Sequence, residues 1–166
     1  MDVTRTYLEL TSPGQLVAAR PPRADARIER LAECPASFYR YLYGEVGREW
    51  HWVDRLGWND EEIRAHLGQP SLSLWLLSVS GSPAGWFELK GHDDGSVEIA
   101  YFGLLPEFRR RGLGKHLLAE AVRHAWATGA HRVWLHTCTL DDPAALPNYL
   151  ARGFARYKEE TYEVDL

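Results

Sequence analysis

Residues 104–118, LLPEFRRRGLGKHLL, constrain the chain more than any other stretch. An apolar run over 97–105 stops at Pro106, and a helical pattern follows Gly112. Between them lies Arg109-x-x-Gly112-x-Gly114, a strand-to-helix turn rich in arginine and glycine. Such a turn leaves backbone N–H groups without partners, and the helix behind it adds the positive end of its dipole. Glycine lets a ligand come close to the backbone. Together these features make an anion site suited to phosphate. The donors are the N–H groups of Arg110, Arg111, Gly112, Leu113, Gly114 and Lys115, and several converging donors suit a diphosphate.

The rest of the chain reads as strands and helices around this turn. Strands are expected over 4–10, 72–79, 84–90, 97–105 and 132–139, with 15–19 continuing a hairpin across Pro13-Gly14. Residues 20–23, with two prolines, form a break. Phe38, Leu42 and Val46 share one face of a helix over 35–46. Asn59, with Glu62 three residues on, caps a short helix over 60–67 that Gly68 closes. The helix after the glycine turn keeps Leu113, Leu117, Leu118, Ala121, Val122, Ala125 and Trp126 to one face and stops at Gly129. A helix over 143–151 and one or two strands within 154–164 complete the order. The pattern is one α/β domain with a mixed sheet.

Charge and composition narrow the function classes. A formal net charge of −4 argues against a general nucleic-acid binder, and four cations at Arg109, Arg110, Arg111 and Lys115 are few for a duplex. The uncharged stretch 70–87 is broken by serines, glycines and Pro83, so no membrane span is expected. No secretory signal is visible, which makes the cytoplasm the expected location. Cys34 and Cys138 lie in no CxxC motif and read as free thiols. The seven histidines show no HxxxH or HxH spacing, so no metal site is expected.

Three motifs in order resemble the GCN5-related N-acetyltransferase (GNAT) superfamily. Arg109-Arg110-Arg111-Gly112-Leu113-Gly114 matches its [Arg/Gln]-x-x-Gly-x-[Gly/Ala] signature. Leu104-Leu105-Pro106-Glu107-Phe108 matches the strand end before it, and Tyr149-Leu150-Ala151-Arg152-Gly153-Phe154 matches Tyr-x-x-x-Gly-Phe. The resemblance is close over 97–154 and rests on element order before that. It implies a single domain over 1–166 with a central, mostly antiparallel sheet, a strand-helix-strand crossover and flanking helices. Residues 1–95 would form the acceptor-side half and 96–166 the acyl-CoA-binding half.

The resemblance also implies acetyl-CoA as co-substrate, with direct transfer of its acetyl group to a primary amine in a ternary complex. Leu104, Arg109, Arg110, Arg111, Gly112, Leu113, Gly114 and Lys115 are then the cofactor-binding residues, the N–H of Leu104 donating to the thioester carbonyl. Relatives often carry an asparagine in the loop after the strand that follows the crossover helix. Here that loop reads Leu140-Asp141-Asp142-Pro143.

Acetyl transfer must deprotonate the amine, stabilise an oxyanion and protonate the leaving thiolate. Tyr149 is the candidate acid: a phenol of pKa about 10 is protonated at neutral pH, above a thiol at about 8.5. Glu98 is the candidate base, with Glu88 and His136 as alternatives. Strict alternation would put Glu98, Ala100, Phe102 and Leu104 on one side of their strand. Tyr39, Tyr43, Trp50 and Trp52 are equally placed to line an acceptor pocket or to fill core. The acceptor stays open among small amines, amino acids, antibiotics and protein N-termini. The other class of reading is an acyl-CoA-binding regulatory module without turnover. The edge formed by 157–164 offers a surface for a homodimer.

Overall fold

One seven-stranded sheet organises the computed structural model, which describes residues 1–22 and 25–166. Arg23, the end of the expected break, lies outside the described residues. The strands are β1 (Asp2–Leu10), β2 (Ala26–Arg30), β3 (Leu72–Val79), β4 (Ser82–Gly91), β5 (Ser96–Leu104), β6 (Arg132–Cys138) and β7 (Ala155–Glu163). Their order across the sheet is β2-β3-β4-β5-β6-β1-β7. Every pairing is antiparallel except β5 with β6, which the crossover helix joins. The helices are α1 (Ala36–Gly47), α2 (Asp60–Leu67), α3 (Leu113–Ala127) and α4 (Ala145–Ala151). No helix of the described residues is long and apolar enough to cross a membrane.

Local sequence explains these helices. Asn59 Oδ1 accepts from the Glu62 N–H at 2.8 Å, and Glu62 Oε1 accepts from the Asn59 N–H at 3.2 Å. This reciprocal cap starts α2 at Asp60. The predicted stripe of α3 is buried: Leu113, Leu117, Leu118 and Val122 have no exposed surface. Each such leucine contributes about 1.5–3 kcal/mol of burial.

Two cores lie on opposite faces of the sheet. On one, α3 packs over Leu77, Phe87, Leu89, Ile99 and Leu135. On the other, α1 and α2 cover Leu74 and Trp86 with Tyr39, Leu42, Val46 and Ile63.

Two sequence expectations are corrected. Residues 15–19 form no hairpin strand, because β6 and β7 occupy the two edges of β1; a 3-10 turn at Pro13–Gln15 stands there instead. The strict alternation along β5 also fails. Leu89 pairs with Ile99 but Glu88 pairs with Tyr101, so Ala100 is an extra residue. This bulge reverses the side-chain phase. Val97, Ile99, Phe102 and Leu104 face α3, whereas Tyr101 faces the α1–α2 layer, as Glu98 does by alternation with Val97 and Ile99. Glu98 and Leu104 therefore project to opposite faces.

The two halves of the chain also interleave, since β1 sits between β6 and β7.

Candidate active site

The motif turn is built as an open cradle. After a 3-10 turn at Pro106–Phe108, Arg110 adopts φ 62° and Gly112 φ 75°, both in the left-handed region. Gly112 caps α3 with no side-chain hydrogen bond. Among the described residues, no acceptor takes the N–H groups of 110–112. Those of 113–115 belong to the first turn of α3, which has no intrahelical acceptor to offer them. Asn148 Nδ2 donates to the Gly114 carbonyl at 3.2 Å and ties this turn to α4.

Side chains at the cradle are partly committed elsewhere. The Arg109 guanidinium lies over the Trp50 ring at 4.9 Å, reaches Glu49 at 3.2 Å and donates to the Val46 carbonyl at 3.4 Å. Its charge is turned to the end of α1, away from the cradle. The Arg111 guanidinium lies 5.1 Å from the Phe108 ring centroid.

A second opening lies beside the cradle. The parallel strands pair only at Ser96↔Arg132, Val97↔Val133 and Glu98↔Trp134, then separate, because β6 follows β1 while β5 follows β4. The splay leaves one edge of β5 unpaired from Ile99 onward. The Leu105 N–H donates to the Ala84 carbonyl at 2.9 Å, on the β4 side. Backbone N–H groups alternate along a strand, so that of Leu104 points into the splay. Tyr149 lies on α4. Its ring packs against Phe102 and Phe154, with centroids 6.2 and 6.1 Å away, and its hydroxyl has no partner among the described residues. Burial, with the charges of Asp141 and Asp142, pushes its pKa well above that of an ordinary phenol.

Glu98 lies on the opposite face of the splay. Its carboxylate is 3.0 Å from His92 Nε2 and 4.0 Å from His136 Nε2. Partial burial and the Arg5 charge lower the His136 pKa below that of an ordinary imidazole. Glu88 is a different case. It is fully buried and accepts from Tyr39 Oη at 3.0 Å, from Arg55 Nη1 at 2.8 and 3.0 Å, and contacts His66 Nε2 at 3.1 Å. Burial alone would raise its pKa; the His66 hydrogen bond and the Arg55 charge outweigh that and hold it below the usual value. A carboxylate so completely partnered is no free base, which removes Glu88 from the alternatives.

The aromatic residues separate in the same way. Tyr39 is 1% exposed and bonds to Glu88 and Arg55, so the expectation that it lines an acceptor pocket is corrected: it is core. Trp50 is half-buried under Arg109. Trp52 packs edge-on against Tyr101 at 4.9 Å and lines a cavity of about 480 Å³ with His51, Val53, Leu56 and Leu140. The two aspartates in the loop after β6 are also occupied. Asp141 accepts from Thr137 Oγ1 and from the Cys138 N–H at 2.9 Å, and Asp142 accepts from the Ala144 N–H at 2.9 Å.

Sequence reasoning missed Arg55. Its guanidinium lies between the Tyr101 and Trp58 rings, 4.4 and 4.9 Å from their centroids, and its backbone N–H donates to Tyr43 Oη at 3.2 Å. It pins the α1–α2 loop that carries Trp52 to β4. The available signal was Glu88, a lone carboxylate in a strand otherwise buried.

Among the described residues, N–H groups without acceptors at a helix start thus lie beside a splayed parallel strand pair. The sequence comparison carries this further: the acetyltransferase (GNAT) family model matches residues 38–154, and the chain belongs to that family. A mycothiol acetyltransferase of Gordonia bronchialis is 32% identical over 115 residues, which are 66% of this chain and 37% of that protein. The chain thus spans little more than a third of that relative's length. A GCN5-related N-acetyltransferase from Sphaerobacter thermophilus superposes with TM-score 0.73 at 15% identity, over 95% of this chain and 49% of that one. An aminoglycoside acetyltransferase from an uncultured soil metagenomic sample, in complex with sisomicin, superposes with TM-score 0.65 at 16% identity, over 77% and 88% of the two chains. At such identities these structural likenesses speak for the fold.

Proposed function

We propose that the protein transfers the acetyl group of acetyl-CoA directly to a primary amine. The observation that carries this reading is the turn at the start of α3, whose N–H groups at 110–112 have no acceptor among the described residues and which lies beside the strand splay that the Leu104 N–H faces, with Tyr149 of α4 packed on Phe102 of β5. Acetyl-CoA supplies an activated acyl thioester. The 110–115 amides hold its pyrophosphate with several short donors at the positive end of α3. The Leu104 N–H donates to the thioester oxygen and strengthens its bond as negative charge develops there. Tyr149 keeps its proton at neutral pH and gives it to the leaving sulfur. The acceptor amine reaches the splay from the α1–α2 face, past Trp52. Glu98 and His136 stand on that face to take its proton through water. Similarity to a protein named mycothiol acetyltransferase supports an acceptor that is a small molecule.

The test is thiol release from acetyl-CoA against a panel of aminoglycosides, polyamines, amino acids and peptides. Release that depends on one class of amine is expected. No release with any amine, together with no calorimetric binding of CoA, would refute the reading.

A further inference from the structure

The loop after β1 crosses the phosphate cradle. Val17 donates its N–H to the Arg152 carbonyl at 2.9 Å, which fastens the loop to the end of α4. Gly153 adopts φ 104°, and a Cβ there would overlap the Gln15 carbonyl, so the loop lies directly against that turn. Farther along, Pro21 and Pro22 restrict the backbone. Pro22 Cβ lies 3.6 Å from where a Cβ on Gly112 would stand. The loop is thereby docked at α4 and again at the cradle.

Between the two docking points is a cavity of about 380 Å³, lined by Ala18, Arg20, Pro22, Gly112, Lys115 and Arg152. Three of these side chains are cations, and none is in an ion pair with a described residue. The Arg152 Nε is shut from solvent and has no hydrogen-bond acceptor among the described residues. A buried guanidinium N–H without an acceptor is preorganised for an anion brought from outside.

The chemistry of that anion follows from the division of donors. Backbone N–H groups of 110–115 serve a diphosphate, whose charge is spread. Two guanidinium groups and an ammonium suit a phosphate monoester, which approaches two negative charges and presents several acceptor oxygens. An acyl-CoA carries one such group on its ribose, a few bonds from the pyrophosphate. We propose that this cavity takes the ribose 3′-phosphate of the coenzyme, and that Arg20 and Arg152 make the protein selective for the phosphorylated form. The proposal rests on the acyl-CoA reading above.

Calorimetric titration of the full chain with CoA and with 3′-dephospho-CoA tests it. Wild-type protein should bind CoA at least tenfold more tightly. Arg20→Ala, in an exposed loop, should weaken CoA roughly tenfold, as expected for one charge-assisted contact, and leave 3′-dephospho-CoA unchanged. Arg20→Ala with Arg152→Gln should bring the two affinities together. A wild type that binds both forms equally, or variants that weaken both equally, overturns the assignment while leaving the acyl-CoA reading intact. Binding of neither form removes both. A third arm titrates inorganic phosphate into protein saturated with 3′-dephospho-CoA. Binding there that Arg20→Ala weakens supports a monoester site only if wild type also prefers CoA; phosphate binding without that preference marks a free-anion site and overturns the proposal.

Discussion

Arg55→Met tests how the acceptor-side loop is held. The substitution keeps an unbranched apolar stem but deletes the Nη1 contacts to Glu88 at 2.8 and 3.0 Å, and the stacking on Tyr101 and Trp58. Hydrogen bonds to charged groups contribute about 1.5–3 kcal/mol each, and a partly desolvated cation–π contact about 0.5–2 kcal/mol. Against these stand the desolvation of the guanidinium and the entropy of a long side chain. His66, at 3.1 Å from Glu88, remains as a hydrogen-bond partner of the carboxylate. With Arg55 13% exposed and Glu88 fully buried, the net loss should be about 3 kcal/mol, the low end for breaking a buried pair from one side. Urea unfolding followed by far-UV circular dichroism measures it. Glu88→Gln should cost a similar amount, because it strands the Arg55 charge. The double variant should cost about 2 kcal/mol less than the sum, since each single change leaves the other partner uncompensated. A loss below about 1 kcal/mol for Arg55→Met, or simple additivity in the cycle, would refute the claim that this pair anchors the loop.

Three further outcomes follow from the same geometry. Tyr149→Phe removes a hydroxyl with no hydrogen-bond partner among the described residues, so stability should change by less than about 0.5 kcal/mol while kcat falls roughly a hundredfold and acetyl-CoA affinity holds; unchanged kcat would remove Tyr149 from the reaction. Gly153→Ala combines a positive φ of 104° with overlap on the Gln15 carbonyl and should cost about 2 kcal/mol or more in chemical denaturation; a neutral effect would mean that the loop does not rest on this turn. Acid should destabilise the fold in two stages. The lowered pKa values of His116, His124 and His136 mean that the unfolded chain binds protons first, so stability falls as pH drops below about 6.5, and the lowered Glu88 pKa extends the loss below about 4.3. Melting temperatures recorded from pH 8 to 4 should fall throughout the acid limb, and a rise between pH 7 and 5 would contradict the assignment.

What could be read from sequence was local. The Asn59/Glu62 cap, the α3 stripe and the glycine turn each depend on residues three or four apart, and each predicted its element. What could not be read depends on pairing across the sheet. The bulge at Ala100 exists because β4 and β5 share a register that no single strand encodes, and it moved Phe102 and Leu104 to the face opposite Glu98. Strand β2, Ala26–Arg30, lies at the sheet edge and buries no residue fully, so it carries little hydrophobic signal. Tyr39 and Trp52 belong to similar aromatic sequence, yet one bonds to buried Glu88 and the other lines a cavity. Only the approach of α1 and its following loop to β4 separates them. The cation cavity was equally hidden, because Arg20 and Arg152 meet only after β1 inserts between β6 and β7.

The central claim is that the turn at 110–115 and the N–H of Leu104 hold the two ends of one acetyl-CoA molecule. Titration of the ¹⁵N-labelled protein with acetyl-CoA, followed amide by amide by NMR, tests this most directly. The amides of Arg110, Arg111, Gly112, Leu113, Gly114 and Lys115 should shift together with that of Leu104 and saturate at one equivalent. Binding that leaves these amides unmoved, or that shifts the turn without Leu104, would contradict the account.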